Sequence, residues 1–223
     1  MKKKLIITVL ALLILASAGF LLFSILNKDE NGSSLNSLQK TTAAGNTDLL
    51  ILVNKEHKIP DDYEVELTQV GWEKVASVMV NDLVEMRDAA ARAGITLNIG
   101  SGYRSTIEQE QIYQETIAEY ISQGMSEKVA KDMAAAPGYS EHQTGLAIDF
   151  SPSNTWDWLA ANAHNYGFIL RYPAAGRCTT GYNSEAWHYR YVGKDHAKKV
   201  FDRGIILEKY LGQETQFCRM NLE

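Results

Sequence analysis

The sequence predicts an α+β fold, with a mainly antiparallel sheet flanked by helices and preceded by one N-terminal transmembrane helix. Helix-like periodicity is concentrated before residue 137, strand-like runs lie mainly after residue 146, and the two do not alternate regularly. This segregation is typical of α+β proteins rather than of repeated βαβ units. With 223 residues, 45% of them hydrophobic, the chain can form one well-packed domain plus an appendage.

The first element is an uncharged run, LIITVLALLILASAGFLLFSIL, at residues 5–26. As a helix rising about 1.5 Å per residue it would span roughly 33 Å, close to the hydrocarbon core of a bilayer. Lysines precede the run, which predicts that residues 1–4 are cytoplasmic and that the body lies on the extracytoplasmic side of the cell membrane. A cleaved signal peptide is the alternative, because Ala16-Ser17-Ala18 has the small-residue cleavage pattern. The apolar run continues well past that point, which favours a single-pass anchor.

Residues 27–47 are polar and rich in Gly, Ser, Asn and Thr, a composition that predicts a flexible linker. The folded body is therefore expected to comprise residues 48–223. Its first element is predicted to be a short buried strand, LLILV, at residues 49–53.

A helix and a strand are predicted next. Apolar residues between positions 72 and 93 recur at spacings of three and four and end at Gly94, which predicts an amphipathic helix of about six turns. ITLNIGSGYRS, residues 95–105, then alternates as a strand does and ends in a glycine-serine turn.

Two further helices follow this strand. Isoleucines spaced along residues 107–121 mark one helix, which Gly124 stops. Ser126 is the expected N-cap of the next, which Pro137-Gly138 ends.

The remainder of the body contains the strands of the predicted sheet. In order, these elements are SEHQTGLAIDF at 140–150 as a loop and strand, a short helix at 156–166 closed by Gly167, FILRY at 168–172 and AWHYRYV at 186–192 as strands, and a final helix capped by Asp195 and broken at Gly204.

The charge of the body argues against nucleic acid as a partner. Removing Lys2, Lys3 and Lys4 from the 22 basic residues leaves 19 against 27 acidic ones, a net charge of −8. An acidic surface is unsuited to binding phosphate backbones. The sequence does not indicate an oligomeric state.

The two cysteines, Cys178 and Cys218, would face an oxidising compartment if the body is exported. They could form a disulfide that ties the C-terminal tail to the loop before residue 185, or they could be two unpaired small residues. The sequence leaves both possibilities open.

The stretch at 140–150 raises a chemical question, because Asp149 lies between two apolar residues of a predicted strand. A buried carboxylate is costly unless it is paired. Catalytic zinc sites use three protein ligands of the imidazole and carboxylate type and leave the fourth position for water. His142, Asp149 and His188 would supply such a set, and a metal ion would compensate the burial of Asp149. The alternative is that Asp149 pairs with an arginine and that His188 packs on Trp187.

Glu185 precedes His188 by three residues and would then be free to act as a general base and acid rather than as a fourth ligand. Residues three apart on a regular strand point to opposite faces. The hypothesis therefore requires a bend, bulge or turn between Glu185 and His188.

Three motifs together resemble those of the VanY-like D-alanyl-D-alanine carboxypeptidases, bacterial cell-wall zinc peptidases with the Hedgehog/DD-peptidase fold. SEHQTGLAIDF is similar to SxHxxGxAxD, EAWHYRYVG at 185–193 is similar to ExWHxRYVG, and SGYRS at 101–105 lies upstream. The resemblance covers roughly residues 48–212 and shows no departure at a motif position.

The resemblance implies that His142, Asp149 and His188 bind one Zn²⁺ and that Glu185 is the catalytic base. It also implies that Arg104 polarises the scissile carbonyl, a role that suits an always-charged fork of donors. Two further residues that would contact the terminal D-alanine of the substrate are Gln109 and Ser140.

The function implied is a membrane-anchored, zinc-dependent D,D-carboxypeptidase that removes the C-terminal D-alanine from peptidoglycan stem pentapeptides or their precursors. Related enzymes suggest two alternatives, an L,D-carboxypeptidase acting on tetrapeptide stems and a D,D-dipeptidase acting on free D-Ala-D-Ala. A wall-binding module with a structural metal is the alternative from another class. Trimming D-alanine would remove the target of vancomycin-type antibiotics, but the sequence does not distinguish resistance from routine wall remodelling.

Overall fold

The computed structural model describes residues 47–214 and 217. The predicted membrane anchor at 5–26 lies outside the described residues, as does the predicted linker except for its last residue. Among the residues described, no helix is both long enough and apolar enough to cross a membrane.

The described chain forms a four-stranded sheet, a separate two-stranded hairpin and helices of very different length. In chain order the strands and helices are β1 Leu67–Val70, β2 Glu73–Ala76, α1 Val80–Arg92, β3 Asn98–Ser101, α2 Thr106–Ser122, α3 Glu127–Met133, β4 Ala147–Ser151, α4 Trp156–Asn162, β5 Phe168–Tyr172, α5 Arg177–Thr180, β6 Glu185–Tyr191, α6 Lys194–Arg203 and α7 Leu207–Leu211.

The four-stranded sheet has the strand order β3-β4-β6-β5, and each neighbouring pair is antiparallel. The strands β4 and β6 therefore occupy the centre, although they are far apart in sequence. This arrangement confirms the predicted α+β class with an antiparallel sheet.

The main core lies between one face of this sheet and α1. Leu83, Met86 and Ala90 of α1 are fully buried and belong to the same cluster as Ile148 of β4 and Tyr189 of β6. Because successive strand residues face opposite sides, the neighbours of Ile148 and Tyr189 point away from this core. Those neighbours are Asp149 and His188.

The predicted helix over residues 72–93 is wrong in its first third, residues 72–79. Residues 67–76 form the β1–β2 hairpin, whose turn contains Gly71 at φ 66° and the almost fully exposed Trp72. The regular helix begins only at Val80. Val75 is fully buried, so it fits the apolar periodicity although it belongs to a strand.

The predicted strand at residues 49–53 is also wrong. This segment contains a turn and no strand, although Leu52 and Val53 are buried. The backbone carbonyls of Leu49 and Ile51 accept hydrogen bonds from the Arg190 guanidinium, at 3.1 and 2.8 Å. An arginine therefore satisfies carbonyl groups that a neighbouring strand would otherwise pair.

The remaining boundaries agree better with the sequence. Ser126 caps α3, whereas α6 is preceded by Gly193, and Asp195 lies in the first turn of that helix rather than at its cap. Cys178 is disulfide-bonded, and the residues described contain no free cysteine. Cys218, the other cysteine of the sequence, lies outside the described residues.

Candidate metal centre

The three predicted metal ligands converge on the face of the sheet opposite the main core. Asp149 of β4 and His188 of β6 are directly paired across the two central strands, so their side chains lie on the same face. His142 lies in the 3₁₀ turn Glu141–Thr144, immediately before β4. One ligand atom from each residue lies within 4.8 Å of the other two, and the three residues form a potential metal site.

Backbone hydrogen bonds fix the orientation of His142. Its Nδ1 atom lies 2.7 Å from the carbonyl oxygen of Gly102. A carbonyl can only accept, so Nδ1 carries the proton and Nε2 presents its lone pair to the site. The turn that holds His142 ends at Gly145, which has φ 71°, a conformation that favours glycine.

The His188 ring is held the other way round. Its Nδ1 atom lies 3.0 Å from Oδ1 of Asp149 inside the site, and its Nε2 atom lies 3.5 Å from Oε2 of Glu141 behind it. The two imidazoles therefore face the site through different nitrogens, Nε2 in His142 and Nδ1 in His188.

The donor atoms lie close enough together to share one metal ion. Zinc–ligand bonds of about 2.0–2.1 Å imply ligand atoms roughly 3.3 Å apart. His142 Nε2 lies 3.3 Å from Oδ2 of Asp149 and His188 Nδ1 lies 3.0 Å from Oδ1, so each imidazole faces a different oxygen of the carboxylate, and the three donors as a set lie within 4.8 Å of one another. Two imidazoles and one carboxylate also match the donor set of a catalytic rather than a structural site.

A β-bulge brings Glu185 to the same site. Tyr189 pairs with Leu170 and Glu185 pairs with Tyr172, so four steps along β6 match only two along β5. This irregularity resolves the predicted conflict between Glu185 and His188. Oε2 of Glu185 lies 3.6 Å from Nδ1 of His188, and the Glu185 side chain retains 30% exposure to the cleft.

Arg104 lies beside the metal ligands, just after β3. Its guanidinium donates two hydrogen bonds to Oγ of Ser101, at 3.1 and 2.9 Å, and lies 3.4 Å from Oδ2 of Asp149. An arginine thus contacts Asp149, as in the alternative considered for the sequence, but it does so together with the two histidines.

The two residues expected to contact substrate line the same cleft, which has a volume of about 200 Å³. Gln109 is buried, donates to the Ala135 carbonyl at 2.8 Å and accepts from Arg104 at 3.5 Å. Ser140 is also buried and precedes the turn that contains His142. The structure therefore brings all seven predicted site residues together.

Burial and neighbouring charges give the site its protonation pattern. Burial lowers the pKa of His142, which keeps this imidazole neutral. Burial would also lower the pKa of His188, but hydrogen bonds to Asp149 and Glu141 raise it to about 9 in the metal-free protein. Burial raises the pKa of Glu185 more than His188 and Arg104 lower it, so this carboxyl holds a proton more readily than an exposed one.

Sequence reasoning missed Glu141, which adjoins His142 and is completely buried. Its carboxylate accepts hydrogen bonds from Arg171 and Arg190, both at 2.8 Å. These arginines hold the pKa of the Glu141 carboxyl well below its usual range, against the effect of burial. Arginines within the apolar strands FILRY and HYRYV were the available signal, because buried guanidinium groups require buried carboxylates.

Comparisons with known proteins agree with this geometry. A family model described as VanY, D-alanyl-D-alanine carboxypeptidase, matches residues 73–194. An Enterococcus faecalis protein named D-alanyl-D-alanine carboxypeptidase is 40% identical over 177 residues. That alignment covers 74% of this chain and 66% of the relative, slightly less than two thirds of its length.

Two solved structures extend the comparison to the fold. One is a mutant of the vancomycin resistance D,D-pentapeptidase VanY from a VanB-type resistance cassette, in complex with Zn(II). It is similar with a TM-score of 0.70 and 40% sequence identity, and the match covers 73% of this chain and 98% of that chain. The LdcB LD-carboxypeptidase is similar with a TM-score of 0.64 and 35% identity, covering 74% of this chain and 86% of that chain.

Proposed function

Because this chain belongs to the VanY family of D-alanyl-D-alanine carboxypeptidases, we propose that it is a zinc-dependent D,D-carboxypeptidase that removes the C-terminal D-alanine from peptidoglycan stem pentapeptides. The single observation that supports this most strongly is the convergence of His142, Asp149 and His188 beside Glu185 in one cleft. A structural zinc site would usually have a fourth protein ligand. This arrangement therefore favours an enzyme over a wall-binding module.

Each proposed ligand offers one donor to the ion: Nε2 of His142, a carboxylate oxygen of Asp149 and Nδ1 of His188. A zinc ion bound there supplies Lewis acidity, which polarises the scissile carbonyl and makes water more acidic. The chain's contribution is to fix three donors in advance and to leave one side of the site open to the cleft.

Glu185 is the proposed general base and acid. It accepts a proton from the attacking water as the water oxygen bonds to the carbonyl carbon. It then passes that proton to the nitrogen of the terminal D-alanine as the carbon–nitrogen bond breaks. Its raised pKa, caused mainly by burial, suits a carboxyl that must hold the proton between these two steps.

Arg104 is proposed to stabilise the negative charge that develops on the carbonyl oxygen. Two hydrogen bonds to Ser101 hold its guanidinium in place before substrate binds, which is the preorganisation that such stabilisation requires.

Gln109 and Ser140 are proposed to contact the terminal D-alanine. Gln109 already donates to Ala135 and accepts from Arg104, which leaves one amide hydrogen for the substrate.

We further propose that residues 5–26 anchor the enzyme in the cell membrane, with residues 48–223 on the extracytoplasmic side. The uncharged run and the lysines before it support this location. An anchored enzyme would meet wall-bound or lipid-linked peptides rather than a free cytoplasmic dipeptide.

The test is D-alanine release by the full-length protein in detergent, with a pentapeptide ending in D-Ala-D-Ala and a tetrapeptide as parallel substrates. We expect cleavage of the pentapeptide that is lost on chelation and restored by zinc. Preferential cleavage of the tetrapeptide would replace the proposal with an L,D-carboxypeptidase. Stoichiometric zinc binding without hydrolysis of either peptide would indicate a binding module instead.

A further inference from the structure

A group of four charged side chains lies directly behind the metal site. All four side chains are fully buried; they belong to Glu141, Arg171, Arg190 and Glu208. Arg171 donates to both oxygens of Glu208, at 2.9 and 2.6 Å, as well as to Glu141. Two carboxylates therefore face two guanidinium groups, which explains how a charged group is tolerated in the interior.

The two oxygens of Glu141 have different partners. Oε1 accepts from both Arg171 and Arg190, each at 2.8 Å. Oε2 faces Nε2 of His188, at 3.5 Å. The arginines thus fix both the charge and the direction of the carboxylate that His188 meets.

We propose that Glu141 is a positioning residue for the metal centre, which accepts the Nε2 proton of His188 and thereby directs the metal to Nδ1. A carboxylate can only accept, so the imidazole must donate to it. Carboxylates commonly orient metal-binding imidazoles in this way, and their loss typically weakens metal binding about 10–100-fold.

The position of Glu141 in the sequence strengthens the inference. The same 3₁₀ turn supplies the ligand His142 and, one residue earlier, the partner of the other histidine ligand. The turn before β4 therefore sets the orientation of both imidazoles, one through the Gly102 carbonyl and one through Glu141.

The substitution Glu141→Gln reverses this hydrogen bond. In the variant, the amide oxygen must face Arg171 and Arg190, because amide hydrogens cannot pair with guanidinium donors. The amide nitrogen then faces His188 and donates to Nε2, which moves the imidazole proton to Nδ1. The neutral imidazole of the variant therefore carries its single proton at the position where the metal should bind.

Glu208→Gln is the matched control. Glu208 loses the same charge in the same buried group, but it contacts Arg171 and Asn54 rather than His188. Both variants should lower the melting temperature of the metal-free protein. Only Glu141→Gln should weaken zinc binding strongly.

The experiment measures the zinc dissociation constant of the metal-free, full-length protein by competition with a chelator. We expect an increase of about 10–100-fold for Glu141→Gln and less than about threefold for Glu208→Gln. An unchanged constant for Glu141→Gln, or an equal increase in both variants, would overturn the inference.

A measurement on the unmodified protein covers the case in which Glu141→Gln does not fold. Long-range ¹H–¹⁵N spectra of the zinc-loaded protein report which nitrogen of each histidine carries a proton. We expect His188 to be protonated on Nε2 and His142 on Nδ1. Coordination of zinc through Nε2 of His188 would refute the role of Glu141. The inference rests on the proposed zinc site but not on the reaction, so zinc binding without peptide hydrolysis would leave it intact.

Discussion

Replacement of Glu185 by glutamine separates metal binding from proton transfer. The amide has the shape of the carboxylate but cannot accept a proton. Glu185 lies 3.6 Å from His188 Nδ1 on the open side of the site, and no other carboxylate lining the cleft is free for the role. Asp149 faces both histidines, and Glu141 is bonded to two arginines.

The expected loss follows from the share of catalysis that a positioned base provides. General acid–base catalysis contributes about 10²–10⁴-fold, so the activation barrier should rise by about 3–5 kcal/mol. Zinc binding should change little, because the three proposed ligands and their hydrogen bonds to Gly102 and Glu141 are untouched.

The assay compares D-alanine release per bound zinc in the two proteins, with saturating pentapeptide and with zinc content measured on the same sample. Glu110→Gln, on the exposed side of α2, makes the same chemical change away from the cleft and should leave the rate unaltered. If Glu185→Gln retained full zinc and more than about a tenth of the turnover, Glu185 would not be the base.

Three further predictions follow from the same geometry. Arg104→Lys should lower kcat about 10²–10³-fold with zinc content unchanged, because lysine lacks the planar fork of donors; an unaltered kcat would exclude a role in charge stabilisation. Zinc binding at pH 7 should release about one proton, because the pKa of about 9 leaves His188 protonated in the metal-free protein. The apparent zinc affinity should therefore rise about tenfold per pH unit up to that pKa. Calorimetry in two buffers of different ionisation enthalpy measures this release, and a value near zero would contradict the raised pKa. Gly102→Ala should weaken zinc binding and lower the melting temperature, because its methyl group would meet the Lys74 carbonyl and displace the carbonyl that holds His142; chelator competition and thermal unfolding test both effects.

The candidate site could be predicted largely from sequence because its ligands carry distinctive chemistry. An aspartate within an apolar strand requires a partner, and His142 and His188 are of the right type to share a metal with it. The sequence could not supply the pairing of Asp149 with His188, because register between strands 39 positions apart is set by tertiary structure.

The overextended helix shows where periodicity fails. Val75, Met79, Leu83 and Met86 are all fully buried, so the apolar pattern is real. A four-residue strand that contributes one or two inward side chains is compatible with helical spacing as well. Gly71, which turns the chain between β1 and β2, is the sequence signal for a hairpin rather than a helix. A single glycine is a weak signal.

The pairing of the buried charges behind the site was beyond sequence reasoning for a related reason. Glu141 meets Arg171 and Arg190, which lie 30 and 49 positions away in the sequence. Arginines within apolar strands indicate buried charge, but only the fold shows that Glu141 compensates Arg171 and Arg190. The bulge in β6 is likewise a consequence of pairing with β5.

The two walls of the cleft have separate origins. The wall with the proposed zinc ligands and Glu185 is built from the central sheet and the turn before β4, whereas α2 and α3 line the opposite wall with Tyr113, Tyr120 and Met133. These two helices share a small apolar cluster of their own, distinct from the main core. Substitutions at Tyr113, Tyr120 and Met133 would therefore change the surface facing the proposed substrate without touching the proposed zinc ligands or Glu185, whereas Gln109, also on α2, contacts Arg104.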